Sequence, residues 1–352
     1  MNPYFSNKIK ILSFLSIILV LYIHSGFHEY PHEIAGMKFN FYLQEFISGM
    51  IGRCAVPLFF AISGYLFFLN TDKGIQAVWQ KMKKRVRSLL IPYLIACLFL
   101  PTFYLIMESI PGTGGFINSE TPFSDNLRLP IGQLLTYLYI DSGSGSPCAF
   151  HLWFLRDLII IVIISPLLFL LRNSGINRFI VCVILFGLSF IETPYFPTFG
   201  VFWFMLGAYF LNDLSNVKYR NTWTILFLSL SIIKQIFPDW GGYFCVIQIP
   251  IILLGVISIW LWYDKFVSKS FELKSHPVLS TACGFTFFIY LFHEPTLNIV
   301  RKLLVIPFGH TSFSFALSYL ISPWIFIILF IPIGVLLKKY VSSLYSVLVG
   351  GR

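Results

Sequence analysis

Long apolar runs without a charged residue recur along the chain, and the first extends from Ile11 to Ile23. A transmembrane helix needs roughly 20 mainly apolar residues to cross about 30 Å of hydrocarbon. The composition agrees, because 57% of the residues are hydrophobic and 11% are charged, whereas soluble domains carry about 25% charged residues. The runs therefore predict an all-α integral membrane protein.

About ten apolar segments qualify as membrane-spanning helices. They cover residues 11–28, 50–69, 89–107, 152–171, 178–193, 198–212, 222–237, 243–263, 282–299 and 314–337. The chain shows no internal repeat and no polar segment with the size of a soluble domain. We therefore expect a single membrane domain over residues 1–352, with no fused soluble domain.

The basic residues predict the orientation of these helices. If the N-terminus is cytoplasmic, the alternate loops on that side hold most of the 25 Lys and Arg residues, as the positive-inside rule requires. An even number of spans then returns the C-terminus to the cytoplasm. The net charge of +10 is explained by this distribution, and no basic and aromatic module is present that would bind a nucleic acid.

Two further features limit the fold. The six cysteines occur singly, without a Cys-x-x-Cys spacing or a Cys/His cluster, so neither a disulfide framework nor a metal site is expected. The stretch from Glu108 to Phe150 is rich in Gly, Ser, Pro and Asp, residues that favour turns. It predicts an outer loop with a short amphipathic segment at residues 131–140.

Polar residues inside the apolar runs converge on the extracytoplasmic end of the predicted bundle. Ionisable groups within a membrane are costly and mostly mark functional sites, although groups near helix ends also reach water by snorkelling. His24 is notable because it ends a long uncharged run, and a neutral imidazole can accept a proton or attack an electrophile near pH 7. The residues at this level are His24, Arg53, His151, Arg156, Asp157, His293 and Glu294.

A basic cluster marks the opposite end. Six Lys and Arg residues lie between Lys73 and Arg87, just before the third apolar run. The cluster is explained either as a topology signal or as an anion site, because guanidinium groups such as those of Arg85 and Arg87 hold phosphate with two parallel hydrogen bonds.

Five segments carry a resemblance to acyltransferase family 3, a family of integral membrane acyltransferases. They are "LSFLSIILVLYIHS", "GRCAVPLFFAISGYLFF", "KKRVRSLLIPYL", "HLWFLRDL" and "FFIYLFHEP". The chain is most similar to short bacterial members that lack a fused esterase-like domain. The resemblance implies transfer of an acyl group, usually acetyl from cytoplasmic acetyl-CoA, to a hydroxyl of a glycan or lipid-linked saccharide outside the bacterial inner membrane.

The family's essential histidine falls on His24 and its helix-2 arginine on Arg53. Two positions depart from the family pattern. Ser13 stands where members commonly have an arginine, and Ser88 replaces the second arginine of an Arg-x-x-Arg pair that begins at Arg85. Arg87 is the candidate substitute, so the departures concern contacts with CoA and leave the assignment of His24 intact.

The resemblance and the charge pattern together predict a mechanism. Lys84, Arg85 and Arg87 would bind the CoA phosphates, and His24 would act as a general base or as a transient acyl carrier. Arg53 would stabilise the oxyanion or orient the imidazole. The acceptor pocket would be formed by His151, Trp153, Arg156, Asp157, His293 and Glu294.

Two other functional classes also fit a polar helical bundle. A proton-coupled secondary transporter would bury His, Arg and Asp, but it would show paired interrupted helices in its two halves, and this chain shows no such symmetry. A membrane scaffold would not need His24. Aromatic residues could stack on a sugar, and the candidates are Trp153, Tyr195, Phe196, Trp203 and Trp240. Assembly as a homo-oligomer is compatible with the sequence.

Overall fold

All regular secondary structure is helical in the residues that the structure, a computed structural model, describes. These residues are 2–27, 37–71, 74–111, 113, 123–191, 193, 195–237 and 241–351. The first eight helices are α1 (Pro3–His24), α2 (Met37–Gln44), α3 (Ala55–Phe68), α4 (Ile75–Ser109), α5 (Ile131–Tyr139), α6 (Trp153–Ile163), α7 (Ser165–Arg172) and α8 (Arg178–Leu188). The others are α9 (Thr198–Phe210), α10 (Arg220–Ile236), α11 (Gly241–Phe266), α12 (Pro277–Gly284), α13 (Thr286–Phe292), α14 (Thr296–Val305), α15 (Ser312–Tyr340) and α16 (Ser342–Leu348).

Length separates the helices into two groups. Within the described ranges, five helical stretches are long and apolar enough to cross a membrane. They are Pro3–His24, Lys38–Phe68, Ile75–Ser109, Ile247–Phe266 and Ser312–Tyr340, and the pair α6 and α7, bent by 62°, makes a sixth if it counts as one span. These spans support a multi-pass membrane protein.

The expectation of about ten spans is not confirmed. The predicted spans at 178–193, 198–212 and 222–237 fall on α8, α9 and α10, which have 11, 13 and 17 residues. At 1.5 Å per residue, an 11-residue helix covers only about 16 Å, roughly half of the hydrocarbon thickness. The predicted span at 282–299 is divided among α12, α13 and α14. The short amphipathic helix predicted at 131–140 is confirmed by α5.

Local sequence signals explain where the long helices begin. The side chain of Asn2 accepts a hydrogen bond from the backbone N–H of Phe5, with Pro3 in the first turn of α1, a combination typical of helix starts. Thr311 and Ser314 form a reciprocal capping box at the start of α15. Helices α1 and α15 therefore start where their free N–H groups find an acceptor.

The centre of the bundle is the contact between α3 and α9. Gly64 of α3 lies so close to Phe204 that an added Cβ would overlap the Phe204 carbonyl oxygen. An added Cβ on Gly207 of α9 would likewise overlap the backbone of Ala61 in α3. Small residues that allow two backbones to touch are a typical means of helix association in membranes, where the hydrophobic effect between helices is weak.

A buried ion pair joins α1 to α11 near the start of the chain. Lys8 is fully buried, and its Nζ lies 2.6 Å from a carboxylate oxygen of Asp264 and 4.1 Å from the centre of the Trp260 ring. The hydroxyl of Tyr4 donates to the other Asp264 oxygen at 2.7 Å. A charge taken out of water requires such a partner, so these contacts fix the register of α1 against α11.

Both ends of the described chain lie at one end of the bundle. Tyr345 of α16 packs against Phe285 with ring centres 5.6 Å apart, and Gly350 lies against the backbone of Ser88 in α4. The first turns of α1 and α4 belong to the same end. That this end faces the cytoplasm stays a prediction.

Five cysteines of the described side chains are free thiols. They are Cys54, Cys97, Cys148, Cys182 and Cys283, and the side chain of Cys245 lies outside the described residues.

Candidate functional site

A cavity of about 610 Å³ lies at the end of the bundle where α1 finishes. We call it the His24 cavity. Residues far apart in sequence, from α1, α6 and the turn before α3, meet on its wall. Six of the residues predicted for catalysis or acceptor binding line it, namely His24, Arg53, His151, Trp153, Arg156 and Asp157.

His24 is the last residue of α1, and the end of that helix is held by hydrogen bonds. The hydroxyl of Ser25 donates to the carbonyl of Leu21 at 2.7 Å. Arg301 of α14 donates to the carbonyl of Gly26, and its guanidinium lies 4.5 Å from the Phe27 ring centre. Arg301 is buried, so it fixes the backbone directly after His24. Arg301 was not predicted as a site residue, because its only signal in the sequence is a basic residue within an apolar segment.

Arg53 is positioned by an irregular stretch of backbone. Residues Glu45–Ile51 form a π-helix and Gly52–Cys54 a 3₁₀ turn, and π-helical turns occur frequently at functional sites. An added Cβ on Gly52 would lie 3.0 Å from Ile23, so the turn touches α1 beside His24. Arg53 is exposed on the cavity wall and makes no hydrogen bond or ion pair with the residues that the structure describes.

Arg156 and Asp157 form an ion pair on the same wall. Nε and Nη2 of Arg156 lie 2.9 and 2.8 Å from one carboxylate oxygen of Asp157. The Nη1 atom of Arg156 donates to the carbonyls of Ile140 and Gly145, at 2.7 and 2.9 Å. Gly145 also lines the cavity, so this pair connects α6 to the loop that closes the cavity.

His293 and Glu294 lie outside the wall of the His24 cavity. The His293 side chain is fully buried, and its ring centre is 5.0 Å from that of His24 and 4.7 Å from that of His151. Glu294 is buried as well, in the segment between α13 and α14. Direct contact with an acceptor was predicted for both residues, and this placement gives that prediction no support.

A second cavity, of about 300 Å³, lies at the opposite end. We call it the Arg85 cavity. Its charged lining residues are Lys10 and Arg85, and its other walls are mainly aliphatic and aromatic. Lys84 and Arg87, which were predicted with Arg85 to bind CoA, are exposed on α4 and do not line the cavity. Lys10 is one of the two basic residues nearest to Ser13 on α1, and no role in binding CoA was predicted for it.

Two aromatic residues separate the cavities. Phe154 of α6 and Tyr290 of α13 line both of them, and the Tyr290 hydroxyl donates to the carbonyl of His151 at 3.0 Å. This pair was not predicted, since aromatic residues in apolar helices give no functional signal of their own. At each of these two residues, a single side chain therefore lies between the cavities.

The aromatic residues proposed for sugar stacking have different positions. Trp153 and Phe196 line the His24 cavity, together with Phe190 and Phe199. Trp203 is fully buried in the core, and Tyr195 is exposed. Trp240 lies outside the described residues.

A family model described as an acyltransferase domain matches residues 7–338, which is nearly the whole chain. The chain belongs to acyltransferase family 3. It is therefore an acyltransferase, and this membership decides against the transporter and scaffold alternatives.

One curated relative of this acyltransferase is the succinoglycan biosynthesis protein ExoH of Rhizobium meliloti (strain 1021). The two are 24% identical over 369 residues, an alignment that covers 100% of this chain and 94% of the relative. No solved structure matches the chain.

Proposed function

We propose that this acyltransferase moves an acetyl group from cytoplasmic acetyl-CoA to a hydroxyl of a surface glycan or lipid-linked saccharide on the outer side of a bacterial inner membrane. The observation that carries the proposal is the pair of cavities that share Phe154 and Tyr290. A basic mouth at one end suits a phosphorylated donor, and an imidazole at the other end suits a hydroxyl acceptor. The relative's name refers to a polysaccharide, which supports a glycan acceptor.

The Arg85 cavity fits the donor in chemistry. Lys10 is exposed at its mouth and Arg85 is half-buried, so two cations are placed where CoA phosphates would enter, and charge-assisted hydrogen bonds to phosphate are strong. The aliphatic and aromatic walls further in suit an uncharged pantetheine arm. Lys84 and Arg87 would add only longer-range attraction, because both are exposed outside the cavity. The bound donor supplies the thioester carbonyl.

The residues of the His24 cavity divide the remaining tasks. A ring nitrogen of His24 accepts the proton of the acceptor hydroxyl while that oxygen attacks the thioester carbonyl, and it returns the proton to the CoA sulfur as the C–S bond breaks. Arg53 supplies positive charge beside the imidazole, where the oxyanion of acyl transfer develops. Arg156 and Asp157 hold the loop around the acceptor, and Trp153 and Phe196 provide flat faces for a sugar ring. The apolar walls of both cavities limit access of water, which would otherwise hydrolyse the thioester.

The test is acetyl transfer from radiolabelled acetyl-CoA in membrane vesicles of known orientation. We expect base-labile label in the glycan fraction when acetyl-CoA is supplied on the cytoplasmic face, and about a thousandfold less with His24→Ala, because general bases contribute 10² to 10⁴ in rate. His276→Ala is the matched control, since His276 is exposed and lies in neither cavity. Equal labelling by the wild type and His24→Ala would overturn the assignment of His24, and labelling only from the opposite face would overturn the proposed direction.

A further inference from the structure

Two buried imidazoles beside His24 have hydrogen bonds that fix which ring nitrogen carries the hydrogen. Nδ1 of His293 lies 2.8 Å from the carbonyl oxygen of Tyr290, and Nε2 of His151 lies 3.3 Å from that of Leu291. A carbonyl oxygen only accepts, so Nδ1 of His293 and Nε2 of His151 carry the hydrogens. The second nitrogen of each neutral ring is then a bare acceptor.

Both bare acceptors lack a hydrogen-bond partner. Nε2 of His293 and Nδ1 of His151 are buried and unbonded in the structure, although buried polar atoms usually have a partner. His293 is fully buried and His151 is 3% exposed, so water does not supply one readily. Within the described part of the chain, no group of three His, Cys, Asp or Glu side chains has a geometry that could hold a metal ion. We therefore expect a hydrogen-bond donor close to each of these buried nitrogens.

His24 is the donor within reach of His293. The ring centres of the two residues are 5.0 Å apart, a separation at which rotation of one ring brings two facing nitrogens to hydrogen-bond distance. Catalytic hydrogen bonds are often long before substrates bind and shorten in the reactive complex. Arg301 holds the backbone after His24, so ring rotation is the simplest adjustment that makes this bond.

We propose that His293 is a positioning residue for His24. In the reactive complex, one ring N–H of His24 donates to Nε2 of His293, so that the opposite nitrogen of His24 stays bare and faces the acceptor hydroxyl. His293 thus keeps the ring hydrogen of His24 on the nitrogen that faces it. In the Ser-His-Asp triad, a carboxylate performs this task for the catalytic histidine. The inference rests on the proposed role of His24 as a base and assigns His293 a task other than contact with the acceptor.

Asparagine and glutamine at position 293 separate this role from a structural one. The Asn amide lies near the position of Nδ1 and retains a donor to Tyr290, but it removes the acceptor at Nε2. The Gln amide reaches the position of Nε2 and restores an acceptor for His24, while it gives up the Tyr290 bond. We expect His293→Asn to lower kcat about 10- to 100-fold, the effect of losing one hydrogen bond to a charged group, with KM for both substrates within about twofold.

His293→Gln should recover most of the kcat that His293→Asn loses. His310→Asn is the matched control, because His310 is exposed and lines neither cavity. The opposite order, with Asn active and Gln inactive, would show that His293 only supports the backbone and would overturn the proposal. Thermal unfolding in detergent identifies a variant whose loss of activity is a loss of folded protein.

A spectroscopic measurement keeps this test independent of the proposed donor and acceptor. In protein with isotope-labelled histidine, the ring nitrogen shifts of His24 report which nitrogen carries the hydrogen. We expect a single tautomer in the wild type and in His293→Gln, and a mixture in His293→Asn. An unchanged tautomer in His293→Asn would contradict the positioning role even if acetyl transfer had not been detected, whereas absent transfer alone would contradict the proposed function.

Discussion

The two cavities differ in how their charges are held. In the His24 cavity, Arg156 is locked by an ion pair with Asp157 and by two carbonyl groups. In the Arg85 cavity, Lys10 and Arg85 make no ion pair with any residue that the structure describes. Under the proposed function, the fixed pair of Arg156 and Asp157 holds the loop around the acceptor, whereas the unpaired cations Lys10 and Arg85 are available to an anionic donor. Arg53, which is also unpaired within the described residues, would be available to the oxyanion.

The largest expected effect comes from a change that damages both cavities at once. Helices α3 and α9 contribute to both walls, and Gly64 is where their backbones touch. Gly64→Ala should lower the free energy of unfolding by about 3 kcal/mol, since overpacking of a tight contact costs 1–3 kcal/mol or more. Thermal unfolding in detergent measures this loss. Gly187→Ala is the control, because an added Cβ there meets no atom within 4 Å, and an equal loss in both variants would contradict the tight contact.

The next effect should be confined to the Arg85 cavity. Arg85→Ala should raise KM for acetyl-CoA about 30-fold, since a hydrogen bond between charged groups contributes 1.5–3 kcal/mol, and should leave KM for the acceptor unchanged. Lys84→Ala and Arg87→Ala should each change KM for acetyl-CoA by less than about threefold, because exposed charges are screened by water and salt. Initial rates at varied acetyl-CoA concentration measure KM for each variant. An equal rise in KM for all three variants would mean that the whole basic cluster binds the donor.

A smaller effect should be confined to the His24 cavity. Asp157→Asn removes the charge that pairs with Arg156 and loosens the loop at Gly145. We expect KM for the acceptor to rise about tenfold, as expected for loss of about 1.4 kcal/mol, with KM for acetyl-CoA unchanged. Initial rates at varied concentrations of each substrate test this separation. A rise in KM for acetyl-CoA instead would place Asp157 on the donor route and remove the distinction between the cavities.

The smallest effect concerns Lys10, at the mouth of the Arg85 cavity. Lys10→Met should raise KM for acetyl-CoA about threefold, because an exposed charge contributes up to about 1 kcal/mol, and the effect should diminish as salt is added. The salt dependence of KM in the wild type and the variant is the measurement. An effect that persists at high salt would indicate a direct, desolvated contact with the donor.

Residue chemistry and topology were enough to place much of the site in advance. The outer ends of the predicted helices correctly brought His24, Arg53, His151, Arg156 and Asp157 to one cavity, because alternating spans fix which helix ends share a level. The same reasoning could not decide that His293 lies behind the wall, since helix level is independent of which face a side chain occupies. The same reasoning failed for Lys84 and Arg87 on α4. Both share the level of Arg85 but do not line the cavity that Arg85 lines.

The number of membrane-spanning helices was predicted less well from the sequence. Apolar content indicates that a segment avoids water, but it does not distinguish a lipid-facing span from a short helix covered by neighbours. The bend between α6 and α7 has a local cause, because Pro166 lies in the first turn of α7 and cannot continue the hydrogen bonding of α6. The shortness of α8 and α9 has no such signal, since both segments are as apolar as a span.

The pairing of Lys8 with Asp264 has a consequence for biogenesis. Synthesis proceeds from the N-terminus, so α1 enters the membrane some 250 residues before its carboxylate partner is made. Until α11 arrives, Lys8 must remain in the headgroup region, where its charge also favours retention on the positive-inside side. Arrival of α11 then supplies the carboxylate that pairs with this lysine inside the bundle. The Arg85 cavity is completed later still, because Cys283 of α12, Tyr290 of α13 and Tyr345 of α16 line it.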